Sequence, residues 1–362
     1  MKKYLYSLIY LICVSFSITS CKEDVNLIGD FKETAIIYGL LDQSESTHLI
    51  KINRAFIGPG NALDIAKIPD SSYFSSLDAT ITEYLGTTKT GKSWILEDTT
   101  ITNKSENGIF YAPTEKLYFF NGVLNKDATY KLEVILYKGT SKEFTVTGET
   151  NLVSGMICAQ SSSNSSFDFI ANDGSLSTQD ITISNSGKAA IVNATLKIFF
   201  SEYQDNNLLN KISYTWNTGE SEVSNGASFG TKLSGQLFYE IIRDHVTNNS
   251  AINKRKLDSL QIFITGGSEE FNNYINANKP SSSLAQSKPN YTNLKVSEGN
   301  NVIGIFSSRQ TLKISKKYFT PSFNYSCLSS KSREYLCIGA ITGNLSFKSN
   351  HSADINKSFY LP

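Results

Sequence analysis

From residue 35 onward the chain sets short apolar or alternating runs between clusters of Gly, Asn, Asp, Ser and Pro. In the first half this pattern predicts strands at Ala35 to Leu41, His48 to Phe56, Ala79 to Leu85, Ser93 to Leu96, Gly108 to Ala112, Tyr130 to Tyr137 and Phe144 to Glu149. Strands of this length at this spacing, with few helical patterns between them, predict an Ig-like β-sandwich over residues 32–152. Gly58, Pro59, Gly60 and Asn61 break the second strand, and Ala62 to Ile68 predicts a helical turn before Pro69.

The Ser/Asn run from Ser161 to Ser166 reads as a loop opening a second β-rich domain, residues 153–362. Its strands are predicted at Gln179 to Ile183, Ala189 to Phe200, Lys211 to Trp216, Ser259 to Ile264, Val302 to Phe306, Thr311 to Ile314 and Tyr335 to Ile341. Two short helices interrupt them. From Gln236 to Val246, Leu237, Phe238, Ile241, Ile242 and His245 fall on one stripe. In the other, Ser268 is suited to N-cap the helix, Glu269 and Glu270 occupy the first turn, and Phe271, Tyr274 and Ile275 form the apolar face before Pro280. The predicted fold class is therefore mainly β, an N-terminal sandwich followed by a second β-rich domain with two short helices. No internal repeat at solenoid or propeller spacing is present.

Ahead of this body, Lys2 and Lys3 precede an apolar run from Tyr4 to Phe16 and then Ser17, Ile18, Thr19, Ser20 and Cys21. That is the layout of a secretory signal peptide, residues 1–20, and its apolar run is shorter than the roughly 20 residues a membrane-spanning helix needs. The junction Ile18, Thr19, Ser20, Cys21 resembles a bacterial lipobox. The resemblance implies cleavage before Cys21 and attachment of diacylglycerol and palmitate-type chains there, which two or more acyl chains make a stable anchor. Residues 21–31 then form a lipidated tether. Within it Lys22, Glu23 and Asp24 resemble the surface-export signal of Bacteroidetes lipoproteins; a solvated charged tether is the plainer reading. Lys22 also departs from the Asp that holds many lipoproteins at the inner membrane, so the expected place is the outer membrane, facing the cell surface.

The chain carries 34 Lys and Arg against 33 Asp and Glu, and loss of Lys2 and Lys3 leaves 32 against 33, one net negative charge. No basic patch argues for nucleic acid. With 19 tyrosines, 21 phenylalanines and only 2 methionines, the composition suits sheets. Of five cysteines, Cys13 leaves with the signal peptide and Cys21 takes lipid. Cys327 and Cys337 could close a small disulfide loop in an oxidising compartment; equally, they and Cys158 could be buried small apolar side chains. None has metal-ligand spacing, and no cofactor or metal is expected.

One catalytic pattern occurs, Gly226, Ala227, Ser228, Phe229, Gly230. A nucleophile elbow needs a buried strand running into the serine and a helix leaving it, whereas Asn217 to Asn225 are polar and turn-like, so a flexible loop explains the glycines better. His351 has no patterned tie to Ser228. Gly58 and Gly60 suggest a phosphate loop, but the third glycine is missing and Pro59 removes an amide N–H. His48, His245 and His351 each stand alone and read as structural. Glu269 and Glu270 point about 100° apart on a helix and suit its dipole better than a glycosidase pair. Tyr73, Phe74, Tyr111, Tyr118, Trp216 and Tyr291 lie beside loops and are candidates for ligand contact, although sheets also bury aromatics. Asp98, Thr99, Thr100 and Asp258, Ser259, Leu260 resemble the Bacteroidetes O-glycosylation sequon, which would modify Thr99 and Ser259.

Ala35 to Gly58, AIIYGLLDQSESTHLIKINRAFIG, resembles the opening strand pair of a family of Bacteroidetes outer-membrane lipoproteins carrying a domain of unknown function. The segment from Ser259 to Arg309 is similar as well: a strand, a short helix with Phe271 and Tyr274, then Pro289, Asn290, Tyr291, Thr292 and Asn293, and the glycine-containing strand Val302 to Phe306. Ser161 to Asn225 carries no part of the likeness. The resemblance implies a non-enzymatic lipoprotein acting beside a TonB-dependent transporter, and it assigns no catalytic or binding residue. The expected function is binding of a ligand or partner protein as an accessory to uptake. The alternatives are a structural or adhesive envelope component and, less favoured by the pattern, a serine hydrolase using Ser228.

Overall fold

The computed structural model describes residues 32–55, 61–108, 110–161, 165–185, 188–224, 227–279, 291–297, 299–318 and 325–361. Among these residues, eight strands come from the N-terminal half: β1 Thr34–Asp42, β2 Thr47–Arg54, β3 Leu77–Leu85, β4 Thr88–Ile95, β5 Glu97–Ile101, β6 Glu115–Asn121, β7 Thr129–Leu136 and β8 Phe144–Asn151. Their period-2 alternation is visible residue by residue. β1 buries Ala35, Ile37 and Leu41, β2 buries Ile50 and Ile52, and β7 buries Tyr130, Leu132, Val134 and Leu136, with the intervening side chains facing out.

These strands pair as β1-β2-β6-β5 in one sheet and β8-β7-β3-β4 in the other. That is the A-B-E-D and G-F-C-C′ arrangement of an Ig-like sandwich. Its signature corner is present as well: Tyr130, near the start of β7, accepts the backbone N–H of Asn125, five residues upstream, at 2.6 Å. Inward residues of both sheets make one core, including Ile37, Ile52, Ile81, Val134 and Val146.

The C-terminal half adds β9 Met156–Cys158, β10 Thr178–Asn185, β11 Ile191–Gln204, β12 Asn207–Glu222, β13 Phe229–Ser234, β14 Lys254–Gly267, β15 Lys295–Val296 and β16 Asn301–Lys317. Among the described residues the α-helices are α1 Ala62–Ile65, α2 Gly235–His245, α3 Glu269–Asn278 and α4 Ser330–Ile338. β16 joins the two halves. From Asn301 to Arg309 it runs parallel to β1, and from Arg309 to Lys317 antiparallel to β14. The product is one eight-stranded sheet, β12-β11-β14-β16-β1-β2-β6-β5, beside a five-stranded sheet ending in β15 and a small β13-β10-β9 sheet.

A second core gathers Ile198, Phe200, Ile262 and Ile264 with Phe238 and Ile242 of α2 and Leu336 and Cys337 of α4. Phe169 stacks on Phe238 at 4.3 Å between ring centroids. Leu152 belongs to the first core and Val153 to the second, yet Leu294 and Phe306 reach back from the C-terminal half to fill the first. Thr34–Pro362 accordingly holds together as one unit with two cores and a shared sheet. Among the described residues no helix is long and apolar enough to cross a membrane.

Three local expectations are corrected. Tyr335 to Ile341 is not a strand: Ser329 accepts the N–H of Ser332 as a helix N-cap, and Arg333, Leu336 and Cys337 share the buried face of α4. A short apolar run does not by itself distinguish the two periods. Gly108 and residues 110–112 are loop, residue 109 lying outside the described residues, and the strand begins later, at Glu115. Val302 to Phe306 and Thr311 to Ile314 are one continuous strand, β16, because Ser307, Ser308 and Gln310 are buried polar positions inside it. Ser308 accounts for its own polarity: it donates to the Asn151 carbonyl at 2.6 Å and accepts the Val153 N–H at 2.9 Å.

Candidate aromatic cleft on the sandwich face

The outward positions of β1 and β2 form the floor of a cleft of about 410 Å³. The antiparallel register sets Ile36 opposite Asn53 and Tyr38 opposite Lys51. Because Ile37, Ile50 and Ile52 turn into the core, pleating obliges these four to face the other way. Glu115, at the start of β6, forms an ion pair with Lys51 across the floor.

Two loops raise the walls. The β2–β3 connection contributes Pro69, Ser72 and Tyr73, and the β5–β6 connection contributes Lys104, Phe110 and Tyr111. Both are tied to the frame. The Tyr111 N–H donates to the Ala66 carbonyl at 3.0 Å, the Lys116 N–H donates to the Tyr73 hydroxyl at 3.0 Å, and the Ser71 hydroxyl lies 2.8 Å from the Ile65 carbonyl. Such ties, together with the short helical turns Ala62–Ile65 and Pro69–Ser72, give the walls a fixed position.

The charged side chains lining the cleft are Lys51, Arg54, Lys104 and Glu115. Tyr274 of α3 donates to the Tyr38 hydroxyl at 3.0 Å, and the two rings meet edge to face at 6.0 Å. Burial, reinforced by Tyr274, pushes the Tyr38 phenol up to about 12, so it stays protonated at neutral pH. The side-chain carbonyl oxygen of Asn53 is buried and has no hydrogen-bond partner. Predominantly apolar walls with a small number of convergent polar groups are the ordinary composition of a small-molecule site.

A second concavity, about 660 Å³, lies over the outer face of β3, β7 and β8. Thr80, Thr82 and Thr147 line it, and its charges are largely matched: Lys131 pairs with Glu149 at 3.4 Å and lies over the Tyr84 ring at 4.8 Å. It is more polar and more open than the aromatic cleft.

Of the aromatic candidates, Tyr73 and Tyr111 line the cleft. Phe74 and Tyr118 are core residues, Trp216 packs partly buried on the second core, and Tyr291 is half-buried outside both concavities. Tyr38, Lys51, Asn53 and Glu115 were not singled out from the sequence. Their signal was the β2 alternation itself, in which Lys51 and Asn53 occupy every second place between Ile50, Ile52 and Arg54.

The remaining candidates are dispersed. Cys21, Lys22, Glu23 and Asp24, like Gly58 and Gly60, lie outside the described residues. Cys327 and Cys337 are not bridged: both are free, buried thiols, as is Cys158. Cys327 is held at a segment hydrogen-bonded to Lys317 and Phe167, whereas Cys337 points from α4 into the core. Burial pushes the Cys337 thiol up to about 12 and raises that of Cys327 further, which suits inert apolar packing. Thr99 sits on the edge strand β5, paired with Leu117 on one side, while Ser259 is embedded between β11 and β16.

Ser228 is exposed and precedes β13, with α2 starting only at Gly235, so among the described residues no strand leads into it and no helix leaves it; Gly226 lies outside the described residues. His351 is buried in the C-terminal segment, accepting the Ala353 N–H at 3.1 Å. His48 stacks on Phe120 and contacts the Gly122 carbonyl at 3.0 Å, and burial lowers its pKa. His245 reaches the Ile241 carbonyl at 2.7 Å, at the C-terminus of α2. Glu269 and Glu270 occupy the first turn of α3, whose N-cap Ser268 accepts the Phe271 N–H. Among the described residues no group of three His, Cys, Asp or Glu is placed to hold a metal ion.

No protein family and no curated protein matches this sequence. Among solved structures, the chain is similar to the C-terminal globular domain of an oligosaccharyltransferase from Pyrococcus abyssi, at 8% identity and a TM-score of 0.19. The match covers 59% of this chain and 42% of that one, and a likeness at this level carries no argument about function.

Proposed function

We propose that this protein is a lipoprotein of the outer membrane, anchored through Cys21 and facing the cell surface, that binds a ligand as an accessory to a TonB-dependent transporter. The observation that carries the binding role is the cleft over β1 and β2, where Tyr38, Tyr73, Phe110 and Tyr111 surround the Lys51–Glu115 pair and the unpartnered Asn53 carbonyl. The address rests on the signal-peptide layout, the Ile18 to Cys21 junction and the Lys22, Glu23, Asp24 triplet. A rigid sheet with loop-built walls, tethered by lipid, concentrates a ligand at the membrane without performing chemistry on it.

The test uses the full chain in a Bacteroidetes host. Proteinase K is applied to intact cells carrying wild type or the Lys22→Ala, Glu23→Ala, Asp24→Ala triple variant, and transporter co-purification is scored in parallel. Digestion of wild type alone, with a TonB-dependent transporter retained on the bait, is the expected result. Protection of both proteins would overturn the surface placement. A deletion strain that attaches poorly yet takes up nutrients normally would replace the uptake role with an adhesive one.

A further inference from the structure

We infer that the outer face of the C-terminal sheet is a docking surface for an anionic glycan, a chain of sugar rings that carry carboxylates. This goes beyond the cleft over β1 and β2 and does not depend on it. Ile198, Phe200, Ile262 and Ile264 turn into the second core, and Tyr214, Trp216, Leu312 and Ile314 pack against it, so the alternate residues of β11, β12, β14 and β16 face the other way. The registers set those residues in rows. Asn217, Thr195, Phe263 and Lys313 lie side by side, then Thr215, Lys197, Gln261 and Ser315, then Ser213, Phe199, Ser259 and Lys317. Lys211, Ser201 and Lys256 form a fourth row on three of the strands. At ordinary sheet spacings this grid measures about 14 by 20 Å.

Charge sets the face apart. No position in the first three rows is acidic, and among the described residues no carboxylate pairs with Lys197, Lys211, Lys256, Lys313 or Lys317. Asp258, beside the fourth row, answers Lys211 and Lys256 in part and accepts the Ser201 hydroxyl at 2.6 Å. Glu220 and Glu222 lie beyond the first row, held by Lys279 at 3.1 Å and Asn276 at 2.6 Å. Neighbouring lysines stand at separations near the Debye length of about 10 Å, so an anion on the face is attracted by several at once. They come from four strands, which is why no basic run marks them in the sequence.

The groups between the lysines select the kind of anion. Thr195, Thr215, Ser213, Asn217, Gln261 and Ser315 offer hydroxyls and amides, which match the hydroxyls of sugar rings. Nucleobases need an open aromatic face, whereas the ammonium groups of Lys197 and Lys313 stand 5.7 and 5.6 Å from the Phe263 ring centre. A bilayer needs apolar side chains to insert, and the exposed ones on these strands, Leu208 and Leu209, lie by the β11–β12 turn outside the grid.

The experiment is biolayer interferometry on the full-length protein in detergent, with oligogalacturonate as the probe. Neutral dextran, poly-glutamate, oligo-dT and phosphatidylglycerol vesicles are run beside it. Wild type is compared with Lys197→Gln/Lys313→Gln/Lys317→Gln and with a control that loses the same charge elsewhere, Lys67→Gln/Lys142→Gln/Lys232→Gln. Oligogalacturonate should bind wild type in preference to every other probe and weaken at least tenfold in the first variant and less than twofold in the control. Binding should also weaken about tenfold or more between about 50 and 200 mM salt. The thermal midpoint of the first variant should hold or rise, because like charges are removed; each lysine is also changed singly, so that a misfolded triple variant leaves the loss measurable. Equal weakening in both triple variants would overturn the location. Poly-glutamate bound as tightly as oligogalacturonate, or binding to vesicles or oligo-dT alone, would overturn the glycan. No binding to any probe would overturn the docking face while leaving the cleft reading untouched.

Discussion

The hydroxyl of Tyr130, near the start of β7, donates to the buried carboxylate of Glu83 at 2.7 Å while accepting the Asn125 N–H at 2.6 Å. The Thr90 hydroxyl donates to the other oxygen of Glu83 at 2.9 Å, and the Lys92 ammonium stands 3.7 Å away. A charged residue thus faces inward at the third alternating position of β3, after Ala79 and Ile81, and is fully provided for.

Burial by itself would raise the Glu83 carboxyl, but the Tyr130 and Thr90 donors and Lys92 outweigh it and hold the group below its ordinary value. A carboxyl depressed in the folded state contributes stability that is complete above its unfolded pKa, roughly 4.3, and is lost as pH falls through the folded value. Tyr130→Phe should cost about 1–3 kcal/mol at pH 7, by orphaning the Asn125 N–H and one Glu83 oxygen. Urea melts from pH 7 down to pH 2 should show a shallower acid limb for Glu83→Gln than for wild type, and superimposable slopes would contradict this account.

Arg333 and Asp354 form a second buried pair, 2.9 Å apart, that fastens the C-terminal segment to α4; Ser349 also donates to Asp354 at 2.6 Å. Removing one partner strands the other charge in the interior, so Asp354→Ala should lose about 3–5 kcal/mol. The double variant Arg333→Met/Asp354→Leu should recover much of that loss, because neither charge then needs solvation. Equal destabilisation of single and double variants in thermal melts would assign the cost to packing instead.

Gly304 lies in β16 with φ +110°, and a Cβ there would stand 2.0 Å from the Ile37 carbonyl oxygen on the parallel strand β1. Gly304→Ala must therefore displace the β1–β16 ladder that joins the two halves, and should cost more than about 2 kcal/mol. Gly299→Ala is the matched control: φ is +88° but nothing lies within 4 Å, so only backbone strain, about 1 kcal/mol, is expected. Denaturation midpoints that fall equally for both would remove the close approach as the cause.

Cys158, Cys327 and Cys337 should all react with iodoacetamide in denaturant without any reductant, and be protected in the folded protein. Mass spectrometry of the alkylated peptides decides this directly. A Cys327–Cys337 linked peptide from unreduced material would show that the exported protein is bridged.

The legibility of this fold differed by element. β1, β2, β3, β7 and β8 were readable because Ala35, Ile37, Ile50, Ile52, Ile81, Leu132, Val134 and Val146 keep strict alternation on one buried face. α2 and α3 were readable from an apolar stripe and from the Ser268 cap. β5 and β6 escaped, since Glu97, Asp98, Glu115 and Lys116 place charges on strands whose partners, not their composition, make them strands. α4 was misread because Tyr335, Leu336, Cys337 and Ile338 are apolar in both periods, and only packing chose between them.

What the sequence by itself determined is therefore local: which short segments bury one face, where they turn, and, through Lys2 to Cys21, the expected route of export. Only the tertiary structure decided how β16 divides between β1 and β14, because a strand's pairing partners lie far along the chain and leave no mark in its own pattern. The same holds for the cleft. Tyr38, Lys51, Tyr73, Phe110, Tyr111 and Glu115 come from five strands or loops, and it was assembly of the sheet, driven by the buried faces of those same strands, that brought their outward faces together.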